Sequence, residues 1–256
     1  MGHQQIKELL DGYVTQYNRP DFIDSDPISI PHKFSARQDI EIAGFFSAIF
    51  SWGQRKTIIN KSLELMQLMD NAPYQFIKNH QPRERQRFKG FVHRTFQYTD
   101  LLYFLTFLQH HYSQHDSLEV HFTRHPNMKD NLIHFHDTFF SLPSAPLRTR
   151  KHVATPARKS TCKRLNMFLR WMVRSDKQGV DFGLWKKIDP SQLMVPLDVH
   201  VERVAKKLNL LKRKQRDWLA TEELTKVLSR FDPMDPTKYD FALFSIGVLE
   251  KEIIWP

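Results

Sequence analysis

Apolar residues recur along this chain at helical spacing, and the elements they predict follow one another with few interruptions. Ile6, Leu9, Leu10 and Tyr13 form the stripe of a short amphipathic helix ending near Asn18-Arg19-Pro20. From Asp21 to Ser35, Pro27 and Pro31 stand among small polar residues and predict an ordered connection. Gln38 to Trp52 is apolar nearly all round after its first turn, the pattern of a helix buried on most sides. Gly53-Gln54-Arg55-Lys56 turns the chain into a second helix, about Thr57 to Met69, with Ile58, Leu65, Leu68 and Met69 inward. A polar, basic stretch from Pro73 to Arg94 precedes a packed helix built on Phe104, Leu105, Phe107, Leu108 and Tyr112. Asp130 to Leu142 and Lys159 to Arg174 predict two further helices, joined by the proline-bearing, basic segment Pro143 to Arg158. Thr221 is placed to cap a helix reaching Phe231, and Asp235-Pro236 opens one over Thr237 to Val248. No repeat is visible. With 8 glycines, and with Phe rather than Val leading the apolar set, the fold class is all-α.

The sharpest local pattern is Pro196-Leu197-Asp198-Val199-His200-Val201-Glu202-Arg203-Val204. Pro196 disfavours helical backbone before it, and Leu197, Val201, Val204 and Leu208 then recur at helical spacing. Asp198 thus falls at or beside the helix N-cap, where first-turn N–H groups and the helix dipole favour a fixed anion. A purely structural cap is the alternative reading of the same residue.

Charge adds a partner. The formal charge of +10 points to a polyanion, nucleic acid before an acidic membrane surface, because no amphipathic anchor or lipidation motif is visible. Thr138 to Ser175 holds no Asp or Glu but carries Arg148, Arg150, Lys151, Arg158, Lys159, Lys163, Arg164, Arg170 and Arg174. Lys159, Lys163, Arg170 and Arg174 fall on one stripe of the predicted helix, opposite Leu165, Phe168, Leu169 and Met172, which predicts a basic face toward nucleic acid. Met1 to Leu10 is polar and no apolar run approaches a bilayer span, so a cytoplasmic protein with no membrane contact is expected. Cys162, the one cysteine, excludes an internal disulfide and a four-thiolate cluster. His111 and His115, like His121 and His125, stand one helical turn apart, but neither pair sits in a His-Glu-x-x-His pattern. No metal site is assigned, no cofactor is called for, and no obligate protein partner is evident.

The Pro196 to Val204 segment, followed by Leu208 and Leu210, resembles the signature of the helix-hairpin-helix DNA glycosylases, in which a proline, an apolar residue and an aspartate precede a helix. Together with Cys162 to Met172 it is similar to a family of uncharacterised bacterial proteins that resembles a distant branch of that superfamily. The resemblance implies one two-lobed helical domain over residues 1–256, with a helix-hairpin-helix-like core at about 130–210. It implies Asp198 as a catalytic carboxylate, a polar turn presenting Gln54 or Arg55 to the gap left by an extruded base, and a closing helix ending on Gly247. The chain departs from type in having no glycine between Phe91 and Gln178. Phosphate contact would rest on Arg148, Arg150, Lys151 and Arg158 instead of a glycine-rich backbone nest. The position matching a lyase lysine falls near Lys177 or, on a longer interval, at Asn166, with Lys163 one turn earlier. The expected function is therefore base excision from duplex DNA, more readily without lyase chemistry than with it. A non-catalytic DNA-binding module and a metal-dependent hydrolase on the histidine region are the alternatives.

Overall fold

The computed structural model describes residues 2–249. Within them the chain is all-α, with one small antiparallel pair of strands. It divides into two compact units, Ser25–Ala154, and Met1–Asp24 together with Thr155–Pro256. The helices that were expected to form a helix-hairpin-helix, Asp130 to Leu142 and Lys159 to Arg174, belong to different units. None of the described helices is long and apolar enough to cross a membrane.

In order along the chain come α1 (His3–Tyr17), α2 (Asp21–Asp24), α3 (Arg37–Phe50), α4 (Arg55–Leu68) and α5 (Pro73–Asn79). They are followed by β1 (Val92–His93), β2 (Phe96–Gln97), α6 (Tyr98–Tyr112), α7 (Met128–Phe139) and α8 (Lys163–Val173), then by α9 (Val199–Lys207), α10 (Trp218–Leu228) and α11 (Tyr239–Leu249). Short 3-10 turns, many of them opened by proline, fill the connections.

The unit Ser25–Ala154 is held by aromatic side chains. Phe45, Phe50, Phe96, Phe104, Phe107 and Phe139 are buried, and their rings meet at centroid distances such as 4.7 Å for Phe104–Phe139 and 4.3 Å for Phe107–Phe139. Offset and edge-on ring pairs add to the large area each ring removes from water. A buried acid crosses this core. Glu41 of α3 accepts hydrogen bonds from the Tyr112 hydroxyl (2.8 Å), the Ser117 hydroxyl (2.7 Å) and the Leu118 amide (3.0 Å). Asp100 of α6 is fully buried as well and accepts from the Gln97 amide (2.9 Å), Thr149 (2.8 Å) and Arg148 (2.8 Å).

The other unit has an aliphatic core, in which Leu10, Leu197, Val201, Val204, Leu224, Leu243 and Ile246 are buried. Here α11 packs against both α1 and α9. Gly247 makes the second contact possible: a Cβ at this position would lie 2.8 Å from the Cβ of His200 and 3.0 Å from its carbonyl. Two helix starts differ from the sequence reading. The α10 cap is Asp217, which accepts from the Ala220 amide at 3.1 Å, while Thr221 lies buried one turn in. And α8 begins at Lys163, not Lys159, because Lys159 and Cys162 both take left-handed backbone, with φ of 60° and 51°, which no α-helix accommodates.

Candidate active site

The approach to α9 is anchored before the carboxylate is reached. Val195 donates its amide to the Thr225 hydroxyl at 3.1 Å, and Val195, Pro196 and Leu197 are all buried. Held in this way, Asp198 takes extended backbone and caps α9 as the apolar spacing predicted. Its Oδ1 accepts from the amides of His200 (2.8 Å) and Val201 (3.0 Å). Oδ2 takes neither bond, and the side chain is only partly buried. Across from the cap, Nδ1 of His200 donates to the Gly247 carbonyl at 3.2 Å, and Arg203 donates to that same carbonyl. The carboxylate thus stands on a turn tied to α10 behind and to α11 beside it.

A second acid occupies the same neighbourhood. Asp240, in the first turn of α11, is buried and its carboxyl is pushed up to about 6, chiefly by burial. The charges of Asp198 and Asp181 push in the same direction, while those of Arg170 and Lys163 pull against them. The negative charge of Asp198 and the positive charge of Lys163 therefore both act on one buried carboxyl. Lys163, the first residue of α8, is partly exposed. Asn166, which occupies the alternative lyase position, is buried and spends its amide on the Thr161 carbonyl at 3.0 Å.

Arg170 and Arg174 are not on a DNA-facing stripe. Both are buried, with 3% of each residue exposed, and both are consumed by acids. Arg170 pairs with Asp240 and with Asp181, the latter at 3.3 Å, and its guanidinium lies 4.3 Å from the centre of the Phe241 ring. Arg174 reaches Asp176 at 2.7 Å, Asp235 at 2.8 Å and Asp181 at 3.1 Å. Burial raises Asp181 and Asp235; Arg170 and Arg174 oppose it at Asp181, and Arg174 at Asp235. The acids missing from the basic tract thus arrive from residues 176–181 and 235–240. A guanidinium out of water needs such partners, since leaving a buried charge unpaired costs about 3–5 kcal/mol.

The remaining cations divide between the units. Arg158 and Lys159 are exposed in the unit that holds Asp198. Arg148, Arg150, Lys151, Gln54 and Arg55 belong to the unit Ser25–Ala154. Of these, Arg148 is tied to buried Asp100, and Arg150 lies with its guanidinium 5.2 Å from the centre of the Phe140 ring. Lys151 is exposed. Gln54 is exposed at the N-cap of α4, with no side-chain bond to that helix, and Arg55 is its first residue. Among the described residues, no group of three or more His, Cys, Asp or Glu could hold a metal ion.

The part of the site that sequence reasoning missed is the pairing of Arg170 and Arg174 with Asp181, Asp235 and Asp240. The aspartates stand in turns or first turns where capping explains them well enough, so only their distance in space to the arginines gives them another role.

Fold and site together define an all-α protein in which an aspartate-capped helix adjoins a buried cluster of carboxylates and guanidinium groups. The chain belongs to the family described as a protein of unknown function (DUF2400), whose pattern it matches over residues 26–249. No curated protein matches the chain. No solved structure matches it.

Proposed function

We propose that the protein is a DNA glycosylase of the helix-hairpin-helix kind, cleaving the N-glycosidic bond of a damaged base in duplex DNA. One observation carries this reading: Asp198 caps α9 through Oδ1 alone, and its charge is felt at Asp240 together with that of Lys163. An oxocarbenium-like sugar needs a fixed negative charge beside it, or a carboxylate that orients the attacking water, and a cap residue held by two backbone amides is preorganised for either role. Arg170, paired with Asp240 and Asp181, holds in place the buried carboxyl on which the Asp198 charge acts. Extrusion of the base would come first, at a cost of a few kcal/mol repaid by phosphate contacts. Arg158 and Lys159 are the exposed cations of the basic tract in the unit that holds Asp198 and are the proposed phosphate ligands.

The test is a screen of purified protein on duplexes bearing single lesions, run for wild type and Asp198→Asn. Asn caps a helix about as well as Asp, so the variant should fold and bind DNA as wild type does, while excision falls by at least about a hundredfold, the scale of losing one transition-state charge contact. Wild-type excision by the Asn variant would shift the carboxylate role to Asp240. No excision of any lesion by folded wild type would leave the scaffold as a DNA-binding module in which Asp198 is a cap.

A further inference from the structure

The histidines that the sequence reading left without a role share one concave pocket of about 520 Å³ in the unit Ser25–Ala154. His110 and His111 come from α6, His115 from the turn that follows it, His121 from the 3-10 turn Leu118–His121, His125 from the loop after it, and His134 from α7. His111 and His121 form the floor, both buried, and share a hydrogen bond of 3.0 Å between Nδ1 of the first and Nε2 of the second. His115 and His134 are partly exposed, and His110 and His125 exposed, so imidazoles are accessible to whatever enters. Ring centroids are close: 5.2 Å for His111–His115, 6.0 Å for His121–His134 and 5.8 Å for His125–His134. Arg124, Gln114, Thr138 and Ser141 complete the polar lining, and no carboxylate is among the lining residues.

Such a lining is short of one thing, a negative charge. A proton taken up by His121 would lie near His111, His115, His134 and Arg124, with no acid in the wall to offset it. We propose that this pocket binds a small phosphorylated ligand, whose phosphate oxygens accept from imidazole N–H groups and from the Arg124 guanidinium. A tetrahedral oxyanion offers many acceptor sites to donors converging from several elements. The volume lies in the range of small-molecule sites, and Phe107 with the imidazole faces suits a planar group attached to the phosphate. A metal ion is the poorer occupant, because no three ligating groups converge and the His111–His121 bond uses two of the inner nitrogens.

Binding should be linked to protons. Burial, then the neighbouring rings, hold His111 down at about 4 and His121 at about 3, with the Ser117 carbonyl opposing the shift at His111 and Arg124 adding to it at His121. His134 is lowered by burial, by His125 and by Arg124, against Asp137. The other acids of these elements are engaged or peripheral: Asp137 stands 3.0 Å from His136, Glu119 pairs with Arg37 at 3.3 Å, and Asp116 is exposed in the turn after α6. An anion in the pocket supplies the missing opposite charge and raises the rings it touches, so affinity rises as pH falls.

The inference is independent of the glycosylase reading and is tested on the full chain by calorimetry and by the imidazole C2 proton resonances. Sulfate is the first probe, because its own charge is constant across the range in which histidines titrate. Its Kd should fall by up to about tenfold per pH unit per proton taken up between about pH 7.5 and pH 6. Arg124→Gln and His134→Gln, each confirmed folded by circular dichroism, should each weaken sulfate about tenfold, the worth of a charge-assisted hydrogen bond. Inorganic phosphate and a nucleoside monophosphate then separate the two sources of the oxyanion: equal affinity assigns free phosphate, and tighter binding of the nucleotide assigns a ligand with a planar group. Absence of saturable sulfate binding at about pH 6 in folded protein would overturn the proposal, as would an affinity that neither variant nor pH changes.

Discussion

At Asp198 the cap uses Oδ1 for both amides and leaves Oδ2 out of them. Lys163 poses the sharper question at this scale. It opens α8, lies partly exposed, and acts on the buried carboxyl of Asp240. A lyase would need this amine, or another, as a nucleophile on the sugar. Excision without strand cleavage is the expected outcome, so borohydride treatment with lesion or abasic DNA should trap no covalent adduct in wild type. An adduct that disappears in Lys163→Gln would make Lys163 the nucleophile, and one that persists would direct attention to Lys159 or Lys177. Asn166 is not a competitor, since an amide is no nucleophile and its side chain is committed to the Thr161 carbonyl.

Among the elements, α11 and α9 meet where the chain has no side chain to spare. Gly247→Ala would thrust a methyl group to within 2.8 Å of the His200 Cβ and 3.0 Å of its backbone oxygen. Backbone cannot yield as a flexible side chain does, so the substitution should cost about 1–3 kcal/mol and displace the first turn of α9 with its cap. A urea titration reads the first effect. Excision reads the second, and should fall further than stability alone explains. Helix α8 is where periodicity misled. Its basic residues at four- and seven-residue spacing look like a solvated or phosphate-facing stripe, yet Arg170 and Arg174 point into protein. Local pattern cannot reveal partners that lie 70 residues on, as Asp240 does from Arg170.

For the whole molecule, pH should act in opposite directions on the two units. His111 and His121 are held below their unfolded value near 6.5, to about 4 and about 3. Their contribution to the stability of that unit is therefore complete above about 6.5 and is lost as the pH falls toward those lower values. Asp240 is raised from 3.8 to about 6; its contribution is complete below about 3.8 and is lost as pH rises through about 6. As pH falls from about 7 to about 5, the amide protection factors, which correct for the intrinsic pH dependence of exchange, should fall in α6 and rise in α11. A uniform response of both helices would contradict the opposed shifts. DNA affinity should fall with salt by roughly 0.9 log units in K per log unit of salt for each phosphate neutralised. Arg158→Ser and Lys159→Ser together should flatten that slope. Arg148 is excluded from the set because removing it leaves Asp100 buried without its guanidinium, so a loss of binding would not be interpretable.

The all-α class, the bounds of most helices to within a few residues and the cap at Asp198 follow from the chain alone, because they rest on local physics: apolar period, proline restriction and a side chain within reach of nearby amides. The charge of +10 and the acid-free tract were equally plain. Which of those cations face water was decided only in three dimensions. Burial of Arg170 and Arg174 depends on acids brought from 176–181 and 235–240, anchoring of Arg148 on Asp100, and the shared pocket of the histidines on how α6, α7 and the turn between them pack. Charge is a property of the residue, but its exposure and its partner belong to the fold.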